Sequence, residues 1–346
     1  MNTTTSTETS PTRKPLVIGL LLLALSIALA GCLYHKFSTP QPIKEAPERE
    51  AAEASNQGDT LPDEPRLASP EVDTVEESKA VPAPLKALPA YDLAYGEHEK
   101  HKLDIYGPSE RASQPIMLYV HGGAWAIGDK RAVHSKAEYF VDKGWLFISI
   151  NYRLTPEVVH PEHVRDTAKA IAWVLDNIAA YGGDAKQLYL MGHSAGAHLV
   201  SLVATDERRL AEWGKGLSDI KGVISNDINA YDLVDLISRQ PMELYTRPFG
   251  TDPETLRDAS PMHHLAKGKG IPPFLITRSR GMSMRVNPNR ELAAEGFAKA
   301  LRAVDVEASV FDGSDRSHGE INHRIGQADD DLTALIWETL QRWQKR

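Results

Sequence analysis

Gly192-His193-Ser194-Ala195-Gly196 places a serine between two glycines. The apolar run Leu188-Tyr189-Leu190-Met191 leads into it, and a helical pattern with Leu199, Val200, Leu202 and Val203 follows at once. A serine hydroxyl is a weak nucleophile unless it is lifted clear of the backbone and handed to a base. A sharp turn from strand to helix does the lifting, and it needs residues without a Cβ on either side of the serine. The helix that begins there also aims unpaired N–H groups at negative charge that develops beside the serine. The pattern predicts a nucleophile at Ser194.

The elements that must position this serine alternate between two types. Leu103–Tyr106, Pro115–Val120, Trp145–Ile150, Gly222–Ser225, Pro273–Thr277 and Val306–Phe311 are short apolar runs of strand character. Several are continuous rather than alternating, as expected of strands buried on both faces. Between them lie helical patterns. Val164, Ala168, Ile171, Val174, Leu175 and Ile178 share one face, with a stop at Tyr181-Gly182-Gly183-Asp184. Leu292–Ala303 is a second such pattern, and Leu332, Leu335, Ile336, Leu340 and Trp343 form a closing one. Strand alternating with helix predicts an α/β domain over 89–346, built on a mostly parallel central sheet with helices on both faces.

Bulk properties narrow the function classes. The chain has 346 residues with 39 basic against 47 acidic side chains, a net charge of −8, which argues against nucleic acid as the main partner. Its one cysteine, Cys32, excludes an intrachain disulfide. There are 13 histidines, but no His-Glu-x-x-His and no Cys/His cluster. His98, His101, His263 and His264 read as surface or structural residues. No metal and no organic cofactor is expected, and nothing in the sequence sets the oligomeric state.

The first ninety residues have a different character. Arg13 and Lys14 precede an apolar run from Leu16 to Ala30, too short for a comfortable membrane span of about 20 residues. It fits a signal-peptide core over 1–32, with an uncleaved anchor as the alternative. Leu29-Ala30-Gly31-Cys32 resembles the bacterial lipobox, in which the cysteine is acylated. That resemblance implies lipidation at Cys32 and a place in the cell envelope. Leu33, where inner-membrane retention would call for Asp, implies the outer membrane. Residues 33–88 are rich in Pro, Glu, Ala, Ser and Asp without an apolar period, and read as a flexible tether.

From about Tyr91 to Trp343 the chain resembles the α/β-hydrolases. It is most similar to carboxylesterases with a His-Gly-Gly loop, feruloyl- and acetylxylan-esterase-like enzymes, and kynurenine formamidases. The shared pieces, in order, are His121-Gly122-Gly123-Ala124-Trp125, Asn151-Tyr152-Arg153-Leu154, Gly192-His193-Ser194-Ala195-Gly196-Ala197-His198, Tyr231-Asp232-Leu233 and Ser317-His318. The resemblance implies the α/β-hydrolase fold and a serine esterase that cleaves esters of small or medium carboxylic acids through an acyl-enzyme. It implies an oxyanion hole from the backbone of Gly123, Ala124 and Ala195, with His121 holding the loop. It implies a base late in the chain at His318, with His323 as competitor, while His193 and His198 read as packing or pocket-lining residues. The acid departs from the pattern. Relatives carry it in the stretch that here reads Ser279-Arg280-Gly281-Met282-Ser283-Met284-Arg285-Val286, which has no carboxylate, and Ser283 stands where Asp is expected. Asp227, directly after the preceding strand, is the leading replacement, with Asp312 and Asp315 behind it and Asp232 read as structural. Two rivals stay open: a catalytically silent hydrolase-fold binding protein, and an arylformamidase-type amide hydrolase.

Overall fold

A computed structural model describes residues 86–108, 112–239 and 241–346. The expected signal peptide over 1–32, Cys32 and the expected tether up to residue 85 lie outside the described residues. In chain order, β1 (Ala90–Ala94), β2 (Lys102–Tyr106) and β3 (Gln114–Val120) lead to α1 (Lys136–Asp142), and β4 (Leu146–Ile150) leads to α2 (Glu162–Asn177). Next come β5 (Gly183–His193), α3 (Ala195–Thr205) and α4 (Glu207–Ala211). Strand β6 (Ile220–Asn226) is followed by α5 (Leu233–Arg239), α6 (Glu243–Phe249) and α7 (Pro253–Asp258). The chain closes with β7 (Phe274–Ser279), α8 (Pro288–Ala303), β8 (Ala308–Gly313), α9 (Glu320–His323) and α10 (Asp331–Trp343).

The eight strands form one sheet in the order β1-β2-β4-β3-β5-β6-β7-β8. Strand β2 runs antiparallel to both its neighbours, and from β4 to β8 every pairing is parallel. This is the α/β-hydrolase fold. Parallel pairing brings the C-terminal ends of β3, β5, β6, β7 and β8 to one edge of the sheet, the edge where open α/β sheets bind ligands. The loops that leave this edge begin at His121, Ser194, Asp227, Arg280 and Ser314.

Side chains alternate across β3. Ile116, Leu118 and Val120 join a core with Val164, Ile171 and Val174 of α2, most of α3, and Phe297 and Leu301 of α8. Met117 and Tyr119 point into a second core with Phe140 of α1 and Ile336, Leu340 and Trp343 of α10. Both faces are therefore apolar, which is why the strands read as continuous runs.

Two boundaries and three short helices differ from the sequence pattern, each for a local reason. Helix α8 starts at Pro288, four residues before Leu292, because Asn287 accepts a hydrogen bond from the Asn289 N–H and proline suits the first helical position. That first turn is polar and leaves no apolar signal, yet it carries Arg290. Strand β8 starts at Ala308, since the Val306 N–H is taken by Leu301 O at the end of α8. Helices α5 to α7 have six or seven residues each, too short to show a period.

Candidate active site

Ser194 sits at the junction of β5 and α3 with φ 53° and ψ −120°, and its N–H bonds to Asn226 O at 3.0 Å. The flanking glycines are a steric necessity. A Cβ on Gly192 would lie 2.2 Å from Gly196 O, and one on Gly196 would lie 2.0 Å from Val120 O. The turn thus presses α3 against β3 and β5 and holds the serine in a left-handed conformation that costs about 1–3 kcal/mol.

His318 stands 2.9 Å from Ser194, Nε2 to Oγ, and 2.6 Å from Asp227, Nδ1 to Oδ2. Since a carboxylate only accepts, Nδ1 carries the proton and Nε2 is left to accept from the serine hydroxyl. Two further bonds fix the histidine. Its backbone N–H donates to Gly281 O at 3.0 Å, and its carbonyl accepts from His193 Nε2 at 2.9 Å. The His193 ring lies against that of His318, with centroids 4.6 Å apart. Burial, reinforced by the His318 charge, pushes the His193 imidazole well below its usual range, so it packs there as a neutral donor.

Asp227 follows β6 with φ 61° and is 1% exposed. Its Oδ1 accepts from the Ser279 N–H at 2.9 Å and from Arg290 Nη1 at 2.6 Å; Oδ2 accepts from His318 and from Ser279 Oγ at 2.5 Å. Burial alone would raise this carboxyl, but the His318 hydrogen bond and the Arg290 charge hold it well below the usual carboxylate range. The stretch that lacks an acid therefore still serves the site: Ser279 clamps Asp227 and Gly281 anchors His318. Ser283 is exposed and bonds to Arg285 O. Asp312 pairs with Arg278, Asp315 with Arg316, and both are mostly exposed. Asp232 accepts from the Asp235 N–H at the start of α5 and pairs with His263. His323 is exposed on α9 with its ring against His134.

The loop after β3 takes φ of 120°, 54° and 57° at Gly123, Ala124 and Trp125. Gly123 O accepts from the N–H groups of Ala126 and Ile127, and a Cβ on Gly123 would lie 1.9 Å from Ile127 O. A Cβ on Gly122 would lie 3.0 Å from Ser194 Cβ, so the loop passes directly beside the serine. Among the described residues, the N–H groups of Gly123, Ala124 and Ala195 have no protein acceptor. His121 bonds through Nδ1 to Gly122 O at 2.7 Å and stacks on Tyr152, whose hydroxyl donates to His121 O. Trp125 is buried edge-on against His198 and Phe249, and His198 Nε2 donates to Ala259 O at 2.7 Å.

Two features left no mark in the sequence patterns. One is Arg290. The other is Lys136, fully buried on α1, whose Nζ donates to Asn322 O at 2.7 Å while Tyr119 donates to Asn322 Oδ1. Burial pushes Lys136 down to about 7. Together Lys136 and Tyr119 hold α9, the short helix directly after the His318 loop. Donor atoms also cluster at His193, Asp227 and His318 and at Asp206, Asp258 and His264, but the first set is committed to the bonds above and the second is crossed by Arg208 and Arg209.

The BD-FAE family model matches residues 103–284, just over half of the chain and inclusive of the His-Gly-Gly loop, Ser194 and Asp227. The chain belongs to the BD-FAE family. Its curated relatives include the probable carboxylic ester hydrolase LipM of Mycobacterium tuberculosis, 30% identical over 253 residues, covering 66% of this chain and 57% of that protein. Esterase LipQ of the same organism is 32% identical over 241 residues, covering 64% of this chain and 55% of that protein. The BD-FAE chain thus spans a little over half the length of the curated relatives it matches. Among solved structures, a truncated carbohydrate esterase from gut microbiota superposes with a TM-score of 0.62 at 17% identity, over 76% of this chain and 98% of that one, a likeness of fold.

Proposed function

We propose that this protein is a serine carboxylesterase of the bacterial cell envelope, acting on esters of small or medium carboxylic acids. The observation that carries the reading is the hydrogen-bonded chain Ser194–His318–Asp227 beside a loop with free N–H groups. Ser194 Oγ attacks the ester carbonyl carbon as its proton passes to His318 Nε2. The N–H groups of Gly123, Ala124 and Ala195 stabilise the oxyanion. Collapse of the tetrahedral intermediate expels the alcohol oxygen, which takes the proton from His318. Water, deprotonated by the same histidine, then attacks the acyl-Ser194 carbonyl; the bond to Ser194 Oγ breaks, that oxygen takes the proton back from His318, and the acid is released. Asp227 holds the tautomer and stabilises the imidazolium.

The relatives named as ester hydrolases support the ester as substrate class. A carboxylate in contact with His318 removes the motive for a silent binding protein, which rested on the missing acid in 279–286. Acylation at Cys32 and the 33–88 tether would fix the enzyme to the membrane. The test is a fluorophosphonate probe on the purified domain together with p-nitrophenyl esters of rising chain length. Wild type is labelled and turns over; Ser194→Ala takes no label and loses about 10⁴- to 10⁶-fold in turnover. A folded wild type that takes no label would refute the reading.

A further inference from the structure

The Asp227 carboxylate is divided between two cations, one permanent and one transient. On one side Arg290, on the first turn of α8 and 9% exposed, donates from Nη1 to Oδ1 at 2.6 Å. On the other, Oδ2 faces His318, which becomes a cation only while it holds the serine proton. A guanidinium does not lose its proton in a protein, so its charge beside Asp227 is constant.

We propose that Arg290 is a positioning residue that fixes the Asp227 carboxylate and, through its charge, keeps His318 available as a base at lower pH than the uncompensated carboxylate would allow. The proposal rests on the catalytic reading above. An acid placed at the end of β6 is almost wholly buried, and a lone buried carboxylate is costly unless paired. Arg290 supplies the pairing and, by offsetting part of the negative charge that favours an imidazolium, makes His318 easier to deprotonate.

The other charged and titratable groups around His318 are accounted for. His193 packs on its ring as a neutral donor. Arg280 pairs with Glu320, and Arg316 with Asp315, Asp330 and Asp331. Lys136 bonds to the Asn322 carbonyl. Tyr231 and Tyr245, near Arg290, are held neutral by burial, with their hydroxyls on Ser225 and Asn229. Ser279 contributes hydrogen bonds to Asp227 and no charge.

The test compares wild type, Arg290→Gln and Arg290→Lys in the pH profile of kcat/KM on p-nitrophenyl acetate, and in an NMR titration of the His318 ring assigned against His318→Gln. Arg290→Gln is expected to move both the acid limb and the ring midpoint up by about one unit, and Arg290→Lys to return both towards wild type. A folded Arg290→Gln with the wild-type limb and midpoint overturns the proposal, even if its kcat has fallen. Arg290→Met carries the test if the glutamine variant does not fold; if neither folds, Arg290 is a folding residue and the proposal is wrong. If the wild type cleaves no ester, the catalytic reading fails by itself, and the NMR titration still decides whether Arg290 sets the protonation of His318.

Discussion

Asp227 and His318 are 91 residues apart in the chain, and their side chains meet at 2.6 Å. The contact exists because β6 and β8 end on the same edge of the sheet, with β7 between them. It places an acid next to the histidine although the 279–286 stretch has none.

If this contact sets the histidine tautomer, Asp227→Asn lowers turnover by about 10³- to 10⁴-fold with folding intact, close to the loss of about 10⁴ seen for the equivalent change in a well-studied triad. Asp312→Asn and Asp315→Asn, whose carboxylates pair with Arg278 and Arg316, change turnover less than about threefold. Steady-state kinetics on one p-nitrophenyl ester, with circular dichroism for folding, decides. Equal losses at all three positions would remove Asp227 from its assigned place.

The loop beside Ser194 depends on Gly123, whose φ of 120° and contact with Ile127 O leave no room for a side chain. Gly123→Ala should displace the N–H groups that face the oxyanion and reduce kcat by about 10²- to 10³-fold. Fluorophosphonate labelling of Ser194 should slow in parallel while the fold persists. A variant with full kcat would place the oxyanion donors elsewhere.

Lys136 gives a pH-dependent stability effect. Its ammonium titrates at about 7 in the folded protein, against about 10.4 in the unfolded chain. Between these values the unfolded chain binds more protons, so this group makes stability rise with pH. Its penalty is full below about 7 and gone above about 10. Lys136→Met should therefore stabilise the protein at pH 6 by up to about 4–5 kcal/mol, less the lost hydrogen bond to Asn322 O, with the gain shrinking towards pH 10. Urea unfolding at pH 6, 8 and 10 measures this; a gain independent of pH would mean that packing, not charge, separates the two proteins.

Cys32 is the proposed point of attachment to the membrane. Palmitate fed to expressing bacteria should label the protein, and Cys32→Ser should remove the label and release the chain to the soluble fraction. One acyl chain binds a membrane marginally and several hold it firmly, so loss of the modification is expected to be visible in fractionation. An unlabelled wild type that still sediments with membranes would leave the 16–30 run as the anchor.

The sequence by itself determined the parts of this protein that depend on local backbone geometry. Gly192 and Gly196 are legible because the turn between β5 and α3 leaves no room for a Cβ at either position, with Ser194 read as the nucleophile between them, and Gly122-Gly123 because a tight loop beside the serine excludes a Cβ. The continuous apolar strands were legible because both faces of the sheet are covered. The tertiary structure decided what depends on where chain ends meet. Asp227 could be ranked from its place after a strand, but only the order of β6, β7 and β8 brings it to His318. Arg290 and Lys136 were invisible to apolar periodicity: Arg290 lies in the polar turn before Leu292 and Lys136 opens a helix of seven residues, and each is recognised as buried only once the elements on every side of it are in place.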